Sequence, residues 1–584
     1  MPGANRTAAT RAPLPTSASC SKVSVFPSPG AKTASPTTQI SFRNISPAAI
    51  EASGVQVAGS ITGPHDGAWV ADSDGDGASF YPTVHFLAGE TVQVEAGLGI
   101  CGASGSSYHF RIAKPPGPLA ASSKAKPSPS PKLQQPTRTY KTMPSVQVPK
   151  LTVTVPASFG DEYVLETPHG GTKPGGPMIV GGKGQLIWFQ PLAPAVIATD
   201  LRVQSYQGQP VLTYWKGAII NGHGIGEDLI LNSAYQPLKT LVPGDGYAAD
   251  LHEFLLSQDG STAWMTAYNE VGWNLSSVGG PKDGAVLDGI VQEIDVATGN
   301  VLFEWHSLDH VAVNLTNQKV DTSLPFDYFH VNSVDPLDNG TVVISSRHTS
   351  TVYGVAQATG RVLWRLGGKA SSFRMGKGTH FALQHDAEVR GPDTISIFDD
   401  EDAPPSSLAA RGLVLHLDFQ TRRATLESAY PHSGLKVPAQ GNVEFLANGN
   451  VFIGWGSGSY TSEFTKGGQL VFDAHFGSAI NSYRAYLHTW VGIPATKPAL
   501  ATSAGGQGAL VVYASWNGST ETSAWEVLGG PDASHLSELA TAPRQGFQTA
   551  VPVSGSPKVV EVVALGASGQ ALASSQAQPV GTGS

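Results

Sequence analysis

The sequence predicts an all-β chain, a six-bladed β-propeller with a small N-terminal and a small C-terminal β-sandwich on its flanks. Three observations carry that expectation. The 584 residues are rich in Gly (67) and Pro (42), and charged residues make up only 14 % against 40 % hydrophobic. Amphipathic runs with the 3.6-residue helical period are almost absent, while short alternating runs broken by Gly and Pro are common. The other two observations are internal repeats that run in step through the middle of the chain. The length exceeds one ordinary core, so several units are expected.

Residues 1–38 are mostly Ser, Thr, Pro and Ala with no hydrophobic period, and are expected to be disordered. Residues 39–113 carry the alternating runs GVQVAG, FYPTVHF, ETVQVEAGL and SYHFRIA, the pattern of a small Ig-like β-sandwich. Residues 114–146 form a Pro/Ser/Lys-rich stretch expected to be an extended, mobile linker.

Residues 147–499 are the expected propeller. Six segments share a turn that leads into an apolar strand: GGKGQLIWFQ, LNSAYQPLKTLV, DVATGNVLFEW, VAQATGRVLWRL, LDFQTRRATLESA and EFTKGGQLVFDA. Their turns fall near 184, 236, 299, 360, 422 and 468, a spacing that suits four short strands and their loops, one propeller blade. A second register agrees. DLHEFLLSQDGSTAWMTAY, YFHVNSVDPLDNGTVVISSRH, LQHDAEVRGPDTISIFDD and AQGNVEFLANGNVFIGWGS each open on a polar residue, pass a turn and end in a strand. Residues 500–584, with GALVVYASWNGSTETSAWEVLGG and KVVEVVALGASGQALASS, read as the second sandwich.

The formal net charge of −9 gives no reason to expect nucleic acid or an anionic membrane as partner, so any bound anion must be held by local cations. No run of eighteen apolar residues is present, so no membrane span is expected. The two cysteines, Cys20 and Cys101, suit either one disulfide of an exported protein or two free thiols. The first residues lack the apolar stretch of a secretory signal, which leaves the export route open.

In the second register, His252, His330 and His385 open the same strand of three successive repeats. Equivalent positions of successive blades lie on one ring, so an innermost strand would point all three imidazoles into one channel. Arg347 ends the strand that follows His330, and Asn332 stands two residues beyond His330 on the same strand face. Three His suit a zinc site, but a guanidinium repels a dication and grips an oxyanion through paired hydrogen bonds. The set therefore points to anion transfer, with no metal, and a neutral imidazole in it is a nucleophile.

DLHEF, DGIVQEID, FEWHSLDH, FDYFHVNS, ISSRHTS, WRLGGK, QHDAEV and GNVFIGWGS together resemble the arylsulfotransferase family, in its branch without a nucleotide cofactor, over residues 160–495. The tail with SWNGSTETSAW resembles that branch's terminal sandwich. The resemblance implies a six-bladed propeller that moves a sulfuryl group from an aryl sulfate to a phenol through a sulfated histidine, with no cofactor. It places the nucleophile at His385 in QHD, with His252, His330 and Asn332 lining the site and Arg347 as the sulfuryl clamp. The partners implied are a small aryl sulfate donor and a phenolic acceptor, and the setting is extracytoplasmic or secreted. One family contact from a later blade matches no motif here.

Other signals are set aside. DSDGDG, with Asp72, Asp74 and Asp76, opens like a calcium loop but has Thr83 at the twelfth position, so it reads as an acidic turn. His306 and His310 lack the Glu of the zinc-protease motif and read as structural. GHGIG at 222–226 is neither a dinucleotide fingerprint nor a P-loop, and reads as a tight turn with His223 near the channel mouth. The competing functions are a non-catalytic propeller binding a glycan or protein, a quinone-dependent dehydrogenase, and a sulfatase with water as acceptor.

Overall fold

The computed structural model describes residues 20–120, 137–171, 174–400, 409–505 and 510–581. It is a β-propeller between two sandwiches. Between Thr152 and Thr489 six four- to five-stranded antiparallel sheets follow one another, with one short parallel pairing at an outer edge. Successive sheets pack side by side in a cycle that returns to its start. The cycle closes where Ala485–Thr489 pairs antiparallel with Glu162–Glu166, so the first-entered sheet takes its inner strand from the far end of the propeller.

Both repeats map onto this geometry. The six turns near 184, 236, 299, 360, 422 and 468 are the outermost hairpins of the six sheets. Each contains a left-handed residue, Gly184, Tyr235, Gly299, Gly360, Arg422 and Gly468. Tight hairpins need a positive φ that glycine adopts without penalty, which explains the recurring Gly of the repeat. The second register marks the inner hairpins, whose first strands are Phe254–Leu256, Val331–Leu337, His385–Val389 and Asn442–Phe445. Several strands, such as Val301–His306, Thr341–Ser346 and Thr351–Ala356, are buried along their whole length, so their sequences do not alternate apolar with polar.

The N-terminal unit starts earlier than the composition suggests. Ser24–Phe26 is a strand paired with Ile40–Arg43, so the expected disordered segment 1–38 is corrected for residues 20–38, while 1–19 lie outside the described residues. Its apolar residues are few, but Val23, Val25 and Ala34 enter a core with Phe42, Val92, Val94 and Phe110 between two four-stranded sheets. Cys20 and Cys101 form a disulfide, Cα–Cα 6.0 Å, which ties that segment to the sandwich. Asp72 and Asp74 are taken by Arg43 at 2.5 and 2.6 Å.

The expected linker 114–146 is also too long. Residues 121–136 lie outside the described residues, but Thr137–Tyr140 and Met143–Pro149 form a hairpin. Tyr140 packs at a tilt against Phe547 with ring centroids 4.5 Å apart, which joins this hairpin to the C-terminal unit. That unit has a three-stranded and a five-stranded sheet around Val512, Trp525, Val527, Val560 and Val562. The N-terminal sandwich docks on the propeller as well, through Phe26 against Phe303 and through Gln39 N donating to Asp245 Oδ1 at 2.9 Å. No helix among the described residues is long and apolar enough to cross a membrane.

Candidate active site

Three successive inner strands deliver three imidazoles. His252 precedes Phe254–Leu256, His330 precedes Val331–Leu337, and His385 opens His385–Val389. The backbone at the last two departs from strand geometry. His330 has φ 55° and Asp386 has φ 50°, left-handed values that cost energy for residues with a Cβ and turn the imidazoles off the sheet. All three are buried: His252 is 3 %, His330 8 % and His385 1 % exposed.

Each imidazole is held at Nδ1 by one carboxylate. Asp250 Oδ2 lies 2.5 Å from His252 Nδ1, Asp327 Oδ2 2.5 Å from His330 Nδ1, and Asp400 Oδ2 2.6 Å from His385 Nδ1. An Nδ1–H donated to a carboxylate fixes the tautomer and leaves Nε2 as the reactive nitrogen. In His385 that lone pair faces the Gln440 N–H at 3.3 Å. Burial lowers the His385 pKa well below 6.5, and Arg347, His252, His330 and Arg484 lower it further, so the ring is neutral at neutral pH. Burial also dominates at His330, whose pKa falls well below 6.5 although Asp327 opposes the shift.

The rings of His252 and His330 lie 4.8 Å apart, and Tyr483 stands edge-on to both His252 (5.5 Å) and His385 (6.3 Å). Arg347 N donates to His330 O at 2.9 Å, which ties the two backbones. Its guanidinium lies at 3.1 Å from His348 Nε2 and donates to Pro438 O at 2.8 Å, while Nε is buried without a hydrogen-bond partner. Arg347 and His385 thus both reach the 438–440 segment. Asn332, expected to line the site, also has a structural bond. Its Nδ2 donates to Gln384 O at 2.7 Å and locks the residue before His385.

Several site residues escaped the sequence reading. Two of the three carboxylates are visible in hindsight, in the D-x-H of Asp250 and His252 and the D-x-x-H of Asp327 and His330. Asp400 comes from the neighbouring strand and carries no local signal. His348 directly follows Arg347, and its Nδ1 donates to Asp327 O at 2.8 Å. His223 was placed near the mouth, and its Nε2 lies 2.9 Å from Asp327 Oδ2. His223, Asp327 and His330 offer ligand atoms within 4.8 Å of one another, but their nitrogens already bond directly to the carboxylate oxygen.

A second guanidinium, Arg484, is fully buried beneath the imidazoles. It bonds Glu253 Oε1 and Oε2 at 2.9 and 3.0 Å and Asn332 O at 3.1 Å, and lies 3.2 Å from Asp200 Oδ1. Arg202 completes the network at 2.6 Å from Asp200 and 2.8 Å from Glu253. These partners take both terminal nitrogens of Arg484, whose Nε, like that of Arg347, has no hydrogen-bond partner among the described residues; Arg347 differs in having no carboxylate bonded to it there. His306 and His310, read from the sequence as structural, lie apart from this network. His306 sits between Asp288 and Glu304, while burial pushes His310, stacked on Trp305, down to about 4.

Residues 202–477 match the family model described as Arylsulfotransferase (ASST). The chain carries an arylsulfotransferase-family domain. All three imidazoles and Arg347 fall inside the matched segment, whereas Tyr483 and Arg484 lie just past it. Membership supports aryl sulfotransferase activity in the broad sense, on small aryl donors and acceptors. No curated protein matches the chain. Among solved structures, a protein of unknown function from Bacteroides caccae is 11 % identical over 56 % of this chain and 98 % of its own, with a TM-score of 0.36. A streptogramin B lyase is 10 % identical over 62 % and 93 %, TM-score 0.30, and the Dos1 propeller 12 % over 65 % and 78 %, TM-score 0.27. At those scores the likenesses carry no functional information for the arylsulfotransferase-family domain.

Proposed function

We propose that the domain transfers a sulfuryl group from an aryl sulfate ester to a phenol, without a nucleotide cofactor, through a sulfohistidine on His385. The observation that supports this most is the Asp400–His385 pair. A buried neutral imidazole with Nδ1–H held by a carboxylate presents its Nε2 lone pair as a nucleophile and has a counter-charge ready for the cation it becomes.

In the first half-reaction Nε2 of His385 forms a bond to sulfur and the ester S–O bond breaks. The phenolate leaves with the electron pair and takes the Nε2 proton of His252 or His330, whichever enters the step as an imidazolium with Nδ1–H kept on its carboxylate; the lowered pKa of His330 weighs against that residue. In the second, the acceptor phenol returns a proton to that imidazole, its oxygen bonds sulfur, and the Nε2–S bond breaks. Charge spreads over the sulfuryl oxygens as the bonds loosen, much as in phosphoryl transfer, and fixed donors aimed at those oxygens supply most of the acceleration. Arg347 is the principal donor, and the Gln440 N–H that faces Nε2 is placed to turn onto an oxygen. The Cys20–Cys101 disulfide supports an extracytoplasmic site of action.

Intact mass spectrometry after mixing with p-nitrophenyl sulfate tests this. The expected result is the addition of one sulfuryl group mapping to His385, absent in His385→Ala and removed by phenol. Nitrophenol release with no adduct in rapidly quenched samples, or unchanged turnover in His385→Ala, overturns it.

A further inference from the structure

Residues 218–225 of the hairpin Gln209–Ile220 and His223–Leu231 overhang their sheet. The neighbouring strands stop pairing at Gly217 on one side and Asp228 on the other, and beyond those points the two arms pair with each other up to Ile220↔His223. Asn221 and Gly222 make the turn with φ 51° and 88°, the left-handed pair of a two-residue hairpin.

Directly opposed residues and alternate residues share a strand face. The register pairs Ile220 with His223 and Ala218 with Ile225, so Ala218, Ile220 and Ile225 stand on the face that carries His223. His223 shows where that face looks, since its ring lies 5.3 Å from His330 and 4.3 Å from Tyr268. The opposite face is filled, because a Cβ on Gly217, Gly224 or Gly226 would come within 2.7 Å of the Trp215 ring. The His223 face is open: Ile220 is 53 % and Ile225 55 % exposed. Its position is fixed by the same carboxylates that orient the imidazoles, Asp327 through His223 and Asp250 through Gly224 N at 2.7 Å.

We infer that this overhang is the aryl-binding lip of the site, with Ile220 and Ile225 as residues that set preference among substrates by covering the ring whose oxygen lies among the imidazoles. The inference rests on the sulfuryl-transfer reading. Donor and acceptor rings leave and enter by one mouth in a two-step transfer, so the lip serves both. A single exposed aliphatic residue carries little meaning, but two on one rigid face beside a polar pocket match the apolar wall that ligand sites pair with a few polar groups.

The test is the double variant Ile220→Ser/Ile225→Ser, with Ile225→Ser alone and Leu238→Ser, an exposed aliphatic on the outer strand of the same sheet, as controls. KM is measured for 1-naphthol and phenol with p-nitrophenyl sulfate as donor, beside the fraction of His385 loaded at saturating donor. The double variant is expected to raise KM for 1-naphthol about tenfold, with a smaller rise for phenol and unchanged loading, because about half of two isoleucine side chains no longer covers the ring. Ile225→Ser should fall between, and Leu238→Ser should match the wild type. An unchanged naphthol-to-phenol ratio in the double variant overturns the lip. If the wild type neither loads nor transfers, the sulfuryl-transfer reading fails, and fluorescence titration of 1-naphthol then judges the lip alone: binding about tenfold weaker in the double variant upholds it, equal binding or no wild-type binding overturns it.

Discussion

Asp400 Oδ2 lies 2.6 Å from His385 Nδ1, a contact made across a β-hairpin by two residues of one sheet. The carboxylate does for this imidazole what the buried acid of a hydrolase triad does for its histidine, fixing one tautomer and stabilising the cation that forms. Asp400→Asn keeps the shape and presents an amide that favours the wrong tautomer. Both half-reactions are expected to slow by about 10³-fold or more. Single-turnover release of nitrophenol measures the first and transfer from preloaded protein the second. A loss under tenfold would remove Asp400 from this role.

The rate of sulfuryl loading should stay flat as the pH falls past 6.5, the ordinary histidine value. Burial and Arg347 lower the His385 pKa well below that value, and the nucleophile is lost only when pH passes below the folded pKa. Arg347→Met takes away the second-largest of these influences and should move the acid limb toward higher pH. A limb centred at 6.5 in the wild type contradicts the burial argument.

Arg347→Lys keeps a charge and discards the planar fork. One lysine cannot meet His348 Nε2, Pro438 O and a sulfuryl oxygen together, so the loading rate is expected to fall about 100-fold or more. Near-normal loading in the lysine variant would show that charge alone suffices.

The imidazoles of the candidate site were legible because they repeat. His252, His330 and His385 share a register, and a register in a propeller is a ring. Asn332 was legible in place, but strand spacing says nothing of the Gln384 carbonyl that takes one of its two amide hydrogens. Asp400 was not visible because it meets His385 only through the pairing of the Thr394–Asp399 hairpin, and Tyr483 and Arg484 because they precede a strand, Ala485–Thr489, that pairs with distant chain. The same cause hid Ser24–Phe26, a three-residue strand among Ser and Pro that is ordered by pairing with Ile40–Arg43 and by the Cys20–Cys101 bond rather than by its own propensity.

His306 should be a stability determinant with no part in transfer. Its Nδ1 is 2.7 Å from Asp288, and its Nε2 makes an ion contact at 3.0 Å with Glu304 outside hydrogen-bonding direction. Burial alone would lower its pKa, but Glu304 and Asp288 raise it well above 6.5. A raised folded pKa means the stabilisation is complete below pH 6.5 and is lost as pH rises through the folded value. His306→Ala should cost about 3–5 kcal/mol at neutral pH by leaving buried carboxylates unpaired, and the difference from wild type should shrink in alkali. Urea titrations of both proteins across pH measure it.

Reduction of Cys20–Cys101 should lower the stability of the N-terminal sandwich by about 2–4 kcal/mol and leave sulfuryl loading unchanged, since the described residues of that unit show no bond to the imidazole cluster. Thermal unfolding with and without a thiol reductant, paired with the loading assay, reads both effects. Loss of loading in step with reduction would contradict the separation.

The pairing of Glu162–Glu166 with Ala485–Thr489 gives the ring a clasp made from its two ends. During synthesis on the ribosome, the sheets that carry His252, His330 and His385 emerge long before residue 485 exists. Tyr483 and Arg484, which brace them from below, arrive with the clasp itself. A nascent chain that ends before that point therefore has the strands of all three imidazoles but lacks the pairing that closes the cycle.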